Sequence, residues 1–229
     1  MKPLSFLLMA GVCMCLSACT ATPQRVSILG DSYSTFYGFM TPETNLCYYG
    51  ADTPDWHEGQ DVTQVEHTWW WQAICNNPNY LLERNNSYSG STLVNTPLEG
   101  MEVETSFISR ADNLGNPDII LVCGGTNDYW NTRLERGEFQ YADWTEEDKK
   151  LFRPGTAYLL HFLQERYPKA HIYFVLNEGL ETIGKDICRI CDYYHIPVIR
   201  PEGIDKCPDG HPTQAGMTTI AQSVLQQLK

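Results

Sequence analysis

Residues 117–128 read PDIILVCGGTND and decide the fold class. The apolar run predicts a strand over 117–123 that is buried on both faces, because it is short, continuous and rich in Ile, Leu and Val. The glycine pair Gly124-Gly125 then predicts a tight turn, so Thr126-Asn127-Asp128 should lie at the carboxyl end of the strand. A strand buried in this way is typical of a parallel sheet with helices on both sides.

Strand patterns and helix patterns alternate along the rest of the chain. The predicted strands cover residues 25–29, 80–87, 117–123, 170–176 and 196–200. The predicted helices cover residues 68–75, 105–114, 145–167 with a kink at Pro154, 181–194 and 213–228. Such alternation forms parallel βαβ units with right-handed crossovers. The sequence therefore predicts an α/β fold, a three-layer α/β/α sandwich around a central, mostly parallel five-stranded sheet.

The first residues have the features of an export signal. Lys2 precedes an apolar stretch over residues 4–16, which is too short to span a membrane as a helix. This stretch ends in Leu16-Ser17-Ala18-Cys19, which resembles a bacterial lipobox, in which the cysteine is lipidated and becomes the first residue of the mature protein. The other two leader cysteines, Cys13 and Cys15, fit less well because larger residues precede them.

The lipobox predicts a lipoprotein signal peptide over residues 1–18, lipidation of Cys19 and a short tether over residues 19–24; an ordinary secretory signal is the alternative. The protein is therefore predicted to be exported and lipid-anchored to the bacterial cell envelope. Thr20 after the cysteine favours an outer membrane, by resemblance to known sorting rules. The formal net charge of −12 argues against nucleic acid and anionic membrane surfaces as partners, so the lipid bilayer is expected only through the Cys19 anchor.

Six cysteines follow Cys19, and an oxidising compartment would allow them to form disulfides. They are Cys47, Cys75, Cys123, Cys188, Cys191 and Cys207. Spacing does not choose among the possible pairings, and Cys123 at the end of an apolar strand favours a buried thiol instead. A zinc site is the minor alternative, because Cys188, Cys191 and His195 have helical spacing and could be joined by Cys207.

Two chemically useful residues follow predicted strands. Ser32 ends Gly30-Asp31-Ser32 directly after the first strand, where a turn would expose its hydroxyl and its backbone N–H. Asn127 follows the buried strand at 117–123, and its amide can donate to a developing oxyanion; closing the strand as an Asx turn is the alternative. Gly90 could bring a backbone N–H to the same point. Parallel strands gather these ends in one crevice.

His211 lies in the last loop, immediately before the closing helix. Gly210 and Pro212 on either side restrict the shape of this loop. With Asp209 two residues upstream and Ser32 near the start of the domain, His211 is a candidate general base for acyl transfer. A solvent-exposed loop histidine is the alternative interpretation.

Together these motifs resemble the SGNH hydrolases, also called GDSL esterases and lipases. Ser32 matches the nucleophile of the family, Gly90 the oxyanion glycine, Asn127 the oxyanion asparagine and His211 the base. The resemblance implies a flavodoxin-like SGNH hydrolase domain over residues 25–229. It also implies a serine esterase in which Ser32 N–H, Gly90 and Asn127 form the oxyanion hole, with no metal and no cofactor.

The sequence departs from the family at the third member of the triad. The family aspartate normally lies three residues before the histidine, where this chain has Pro208. Asp209 is the first candidate for the residue that orients His211, with Asp205 and a backbone carbonyl or water as alternatives. Asp31 and Asp128 are expected to brace their loops rather than to react.

Aromatic residues indicate the substrate class. The segment 33–71 holds ten of the 27 aromatic residues, and 129–144 adds five more. Both segments leave predicted strand ends, so aromatic faces edged by polar groups should flank the crevice and suit sugar rings. Packing of Trp69, Trp70 and Trp71 onto the sheet is the alternative. A glycan-deacetylating esterase is therefore the favoured prediction, ahead of a non-catalytic glycan-binding lipoprotein on the same scaffold and of a lipase or thioesterase.

Overall fold

The computed structural model describes residues 22–51 and 58–228. The predicted signal peptide, the predicted lipidation site Cys19 and the first half of the predicted tether lie outside the described residues. Among the described residues there is no helix long and apolar enough to cross a bilayer.

Five parallel strands form one central sheet in the described part of the chain. They are β1 (Gln24–Gly30), β2 (Tyr80–Ser87), β3 (Ile119–Gly124), β4 (His171–Leu176) and β5 (Val198–Ile199). The spatial order is β2-β1-β3-β4-β5, which is the flavodoxin-like order. The predicted α/β fold class and the five-stranded sheet are therefore confirmed.

Helices cover both faces of the sheet. They are α1 (Phe107–Arg110), α2 (Thr126–Trp130), α3 (Phe152–Arg166), α4 (Glu181–Tyr193) and α5 (Gln214–Gln227). Side chains of β3 alternate between two hydrophobic cores: Leu121 packs in the core that contains α5, and Val122 packs in the core that contains α3 and α4. This double burial explains why the strand is apolar at every position.

The predicted helix over 145–167 is wrong in its first third. Helix α3 begins at Phe152, so Pro154 lies in the first turn, where a missing N–H breaks no intrahelical bond and causes no kink. Thr145 instead begins a separate turn: its hydroxyl accepts from Asp148 N–H (3.3 Å), and the Asp148 carboxylate accepts from Thr145 N–H (2.8 Å). These local side-chain hydrogen bonds stabilise a turn where the sequence predicts the first residues of the helix.

Two other elements are shorter than predicted. The helix expected over 105–114 is the single turn α1, because the segment after Arg110 continues in i→i+3 turns around Asn113. The strand expected over 196–200 is reduced to two residues, β5, between Pro197 and Pro201, neither of which has an N–H to donate to a ladder.

The six described cysteines are free thiols, and Cys123, Cys191 and Cys207 are buried. Burial raises the pKa of the Cys191 and Cys123 thiols, so both are held protonated. No group of three His, Cys, Asp or Glu side chains within residues 22–51 and 58–228 is arranged to hold a metal ion. The minor zinc alternative at Cys188, Cys191, His195 and Cys207 is therefore not supported by the geometry.

Candidate active site

A cleft of about 330 Å³ opens at the carboxyl ends of the strands. It is the crevice expected where the strand order reverses between β1 and β3. Its lining includes Ser32, Asn127, Trp130, Glu178, Asp209 and His211. Four separate parts of the chain therefore supply the polar groups of one site.

Ser32 lies where β1 ends and the chain turns into a 3₁₀ helix over Ser32–Ser34. The turn requires Gly30 because a Cβ there would lie 2.5 Å from Ser87 Oγ of the neighbouring strand. The Asp31 carboxylate caps the turn by accepting from Tyr33 N–H (3.1 Å). The Ser32 side chain is thus fixed at the base of the cleft, with 5% of its surface exposed.

His211 reaches Ser32 from the loop before α5. His211 Nε2 lies 2.9 Å from Ser32 Oγ, although the residues are 179 positions apart. The loop is held closed by two backbone hydrogen bonds, Cys207 N–H to His211 O (2.8 Å) and Gly210 N–H to Cys207 O (2.9 Å). Tyr33 OH also donates to Gly210 O (2.6 Å), which ties this loop to the serine turn. The distance suits transfer of the serine proton to the imidazole.

Asp209 lies on the other side of the imidazole. Its Oδ2 is 3.3 Å from His211 Nδ1, and its Oδ1 accepts from the backbone N–H of His211 (3.1 Å). Gly210 between them has a φ of +89°, which lets the carboxylate fold back toward the ring. Asp205 has a different position, because its Oδ2 accepts from Thr213 Oγ1 at the start of α5. The structure therefore places Asp209, and not Asp205, beside Nδ1.

Hydrogen bonds keep Asp209 ionised. Burial acts to raise the pKa of its carboxyl, but hydrogen bonds from the Tyr48 hydroxyl and from His211 N–H, together with the imidazole itself, hold that pKa below the ordinary value of 3.8. An anion at this position can fix the imidazole tautomer and stabilise an imidazolium.

Asn127 is in the first turn of α2 and faces the same cleft. Its Nδ2 donates to Ser91 O (2.8 Å), and a primary amide carries a second N–H that this bond does not use. Gly90 precedes Ser91 and has a φ of +83°. Gly90 is not among the described residues that line the cleft. The hydrogen bond from Asn127 to the next residue, Ser91, is what places Gly90 near the site.

Asp128 and Arg110 are buried supports beneath the site. The Asp128 carboxylate accepts from Leu93 N–H (3.0 and 2.9 Å), which agrees with the predicted bracing role. Arg110 Nη2 donates to Gly30 O (3.1 Å) and to Ser91 Oγ (3.0 Å), so one guanidinium joins the serine turn to the Gly90-Ser91 loop. Burial lowers the pKa of Arg110 to about 9. Sequence reasoning missed Arg110, because a lone arginine in a predicted helix carries no signal.

Most aromatic side chains expected around the crevice are elsewhere. Trp69 and Trp70 are fully buried in the core, which bears out the packing alternative. Trp144 packs against Tyr158 and His161. Of the aromatic residues in the two segments that the structure describes, only Tyr33 and Trp130 line the cleft, and the Trp130 side chain is 70% exposed.

The family described as GDSL-like Lipase/Acylhydrolase matches residues 24–228. The chain belongs to this family. Two solved structures provisionally named GDSL-like lipases are similar over most of their length. The protein from Bacteroides uniformis ATCC 8492 is 47% identical (TM-score 0.84), with 90% of this chain and 95% of that chain covered. The protein from Bacteroides ovatus ATCC 8483 is 43% identical (TM-score 0.83), with 89% and 97% covered.

More distant structures share the fold of the GDSL-like hydrolases. Est24, a carbohydrate acetylesterase from Sinorhizobium meliloti, is 10% identical, with a TM-score of 0.58, 90% of this chain covered and 98% of that chain. At this identity the likeness shows the fold alone. None of the curated proteins matches the chain.

The two aspartates near the base give a direct test of the triad. We expect Asp209→Asn to lower kcat of ester hydrolysis by up to about 10⁴-fold, because the amide favours the wrong imidazole tautomer. Asp205→Asn is the matched control and should leave kcat within about threefold, since Asp205 contacts Thr213. Steady-state kinetics on a short-chain aryl ester measures both. A loss below tenfold for Asp209→Asn would assign the orientation of His211 to another group.

The raised pKa values of two buried carboxyls predict that the stability of the folded protein falls as pH rises. Burial raises the pKa of Asp31 and of Asp128 to about 7 from 3.8. Between these two pKa values the folded protein keeps protons that the unfolded chain releases. The contribution of the two carboxyls to the free energy of unfolding is therefore fully present below about pH 4 and is lost as pH rises through 7.

We expect Tm to be lower at pH 8 than at pH 5 by at least about 5 °C, measured by scanning calorimetry. Asp128→Asn should reduce this difference, because one of the two titrating groups is then absent. A Tm that is equal at both pH values, or higher at pH 8, would contradict the prediction.

Proposed function

We propose that this GDSL-like hydrolase is a serine esterase that acts through an acyl-enzyme on Ser32. The observation that carries the proposal is the alignment of three side chains: Ser32 Oγ is 2.9 Å from His211 Nε2, and the Asp209 carboxylate is 3.3 Å from Nδ1 of the same ring. This arrangement has the order and distances of a Ser-His-Asp triad.

In the proposed reaction, His211 Nε2 takes the proton from Ser32 Oγ as the oxygen attacks the ester carbonyl. The resulting oxyanion accepts from the second N–H of Asn127 and from the backbone N–H of Ser32. The Gly90 N–H is the third donor that the family resemblance implies, although Gly90 is not among the described residues that line the cleft. The imidazolium then protonates the leaving alcohol, and the acyl group remains on Ser32. Water, deprotonated by His211, releases the acid and restores the serine. The scheme uses no metal and no cofactor.

We propose acetylated glycans as substrates, and Trp130 supports this choice. Asn127 and Trp130 are three residues apart on α2, so both face the cleft from one side of the helix. An exposed indole stacks well on a pyranose ring, while Glu178 and Lys206 in the lining of the cleft offer charged groups to its hydroxyls. A sugar on Trp130 would hold an ester substituent near Asn127.

The shape of the site is compatible with a larger glycan. A second cavity of about 370 Å³ adjoins the cleft and shares Glu178, Gly179 and Leu180 with it. The second cavity is bordered by Lys185 and Arg200 as well as by apolar side chains. Further sugar units could extend there. With lipidation at Cys19, the enzyme would act on such glycans at the bacterial cell envelope.

Replacing Trp130 tests the substrate class. We expect Trp130→Ala to lower kcat/KM for acetylated oligosaccharides by about tenfold or more, because sugar stacking is lost. Hydrolysis of methyl acetate should stay within about twofold, because this ester has no ring to stack. Tyr193→Ala is the matched control: Tyr193 is 55% exposed, stacks on Tyr141 near the end of α4, and lies outside the cleft.

Other outcomes of the same substrate panel would favour the competing functions. A preference for long acyl chains would indicate a lipase or thioesterase. Binding of glycans without turnover of any ester would indicate a glycan-binding protein and would contradict the esterase proposal.

A further inference from the structure

We propose that Tyr48 is a positioning residue that holds Asp209 and the His211 imidazole in their productive arrangement. The proposal rests on the esterase function argued above and adds a residue to its machinery. Tyr48 lies in the loop after β1, far from both partners in sequence, and its side chain is only 9% exposed.

Tyr48 contacts both members of the Asp209–His211 pair. Its hydroxyl donates a hydrogen bond to Asp209 Oδ2, the same oxygen that faces His211 Nδ1. Its ring lies parallel to the imidazole, with ring centroids 3.5 Å apart and an angle of 9° between the planes. One side chain therefore restricts the carboxylate by a hydrogen bond and the imidazole by face-to-face packing.

The short spacing between Asp209 and His211 explains why such a support is useful. With only Gly210 between them, Asp209 Oδ1 is held by the backbone N–H of His211 (3.1 Å). Oδ2 then faces Nδ1 at 3.3 Å, slightly beyond the usual range of N–H···O bonds. The Tyr48 hydroxyl fixes the rotation of the carboxylate, so that Oδ2 stays directed toward the ring.

Tyr48 is itself tied to the nucleophile turn. Its backbone N–H donates to Thr35 Oγ1 (2.9 Å), and Thr35 Oγ1 donates to Ser32 O (2.9 Å). The contacts therefore run from the backbone of Ser32 through Thr35 and Tyr48 to Asp209. A movement of the loop that carries Tyr48 would therefore displace Asp209 and His211 relative to Ser32.

The stacked ring also suits the change in charge on His211 during turnover. When His211 takes the serine proton it becomes an imidazolium, and the face of an aromatic ring attracts a cation. The same ring shields one face of the imidazole from water. Burial acts to raise the pKa of Asp209, but the hydrogen bonds from Tyr48 and from His211 outweigh it and hold that pKa below its ordinary value, so the carboxylate is an anion when the imidazolium forms.

Substitution of the hydroxyl tests the proposal. We expect Tyr48→Phe to lower kcat by about 10- to 100-fold with KM within about twofold, because a hydrogen bond to a charged group is lost while the ring remains. Tyr48→Leu should cost more, since the stacking is lost too. Tyr49→Phe is the matched control: Tyr49 OH donates to Pro212 O (3.0 Å) in the same loop and not to Asp209. Its kcat should stay within about twofold.

A spectroscopic measurement separates positioning from stability. The proton between His211 Nδ1 and Asp209 should give a downfield ¹H NMR signal in the wild type and in Tyr49→Phe, and this signal should shift or broaden in Tyr48→Phe. An unchanged signal together with kcat within threefold of wild type for Tyr48→Phe would overturn the proposal. So would equal losses in Tyr48→Phe and Tyr49→Phe.

The two proposals fail in different ways. If the wild type hydrolyses no ester, the esterase proposal fails, but the NMR comparison of the two tyrosine variants still shows whether Tyr48 orders the Asp209–His211 pair.

Discussion

The parallel pairing of β1 with β3 is the constraint on which the site depends. Gly30 pairs in register with Cys123, and Asp31 N–H donates to Cys123 O (3.2 Å), so both strands end side by side. Ser32 and Asn127 therefore emerge next to each other although they are far apart in sequence. Because the strand order reverses here, the crevice between them is not covered by a crossover helix. The loop before α5 can then bring His211 to Ser32.

Buried polar groups fix these loops at a cost to stability. Asp31, Asp128 and Arg110 are all withdrawn from water. Burial raises the pKa of the two carboxyls and lowers that of the guanidinium, and each shift favours the neutral form of the group. Each group is retained because it holds loop backbone near the site, as Arg110 does for Gly30 O. Fixed loops place the reacting groups before substrate arrives, which is how such sites lower a reaction barrier.

The sequence predicts the sheet and the polar residues of the cleft better than it predicts their surroundings. The strand predicted over 80–87 is the observed β2, and Ser32, Asn127, Asp209 and His211 meet because they follow strands or precede the last helix. The role of Tyr48 could not be predicted, because its loop has no periodicity and its partner Asp209 is 161 residues away. Hydrophobic pattern likewise cannot separate buried Trp70 from exposed Trp130.

Covalent labelling tests the central claim, that Ser32 is a nucleophile activated by His211. Tether-free protein is treated with a serine-directed aryl phosphonate and analysed by intact and peptide mass spectrometry. We expect one adduct on Ser32 in the wild type, none in Ser32→Ala and much slower labelling in His211→Ala. Absence of an adduct in the wild type, or equal labelling of Ser32→Ala, would contradict it.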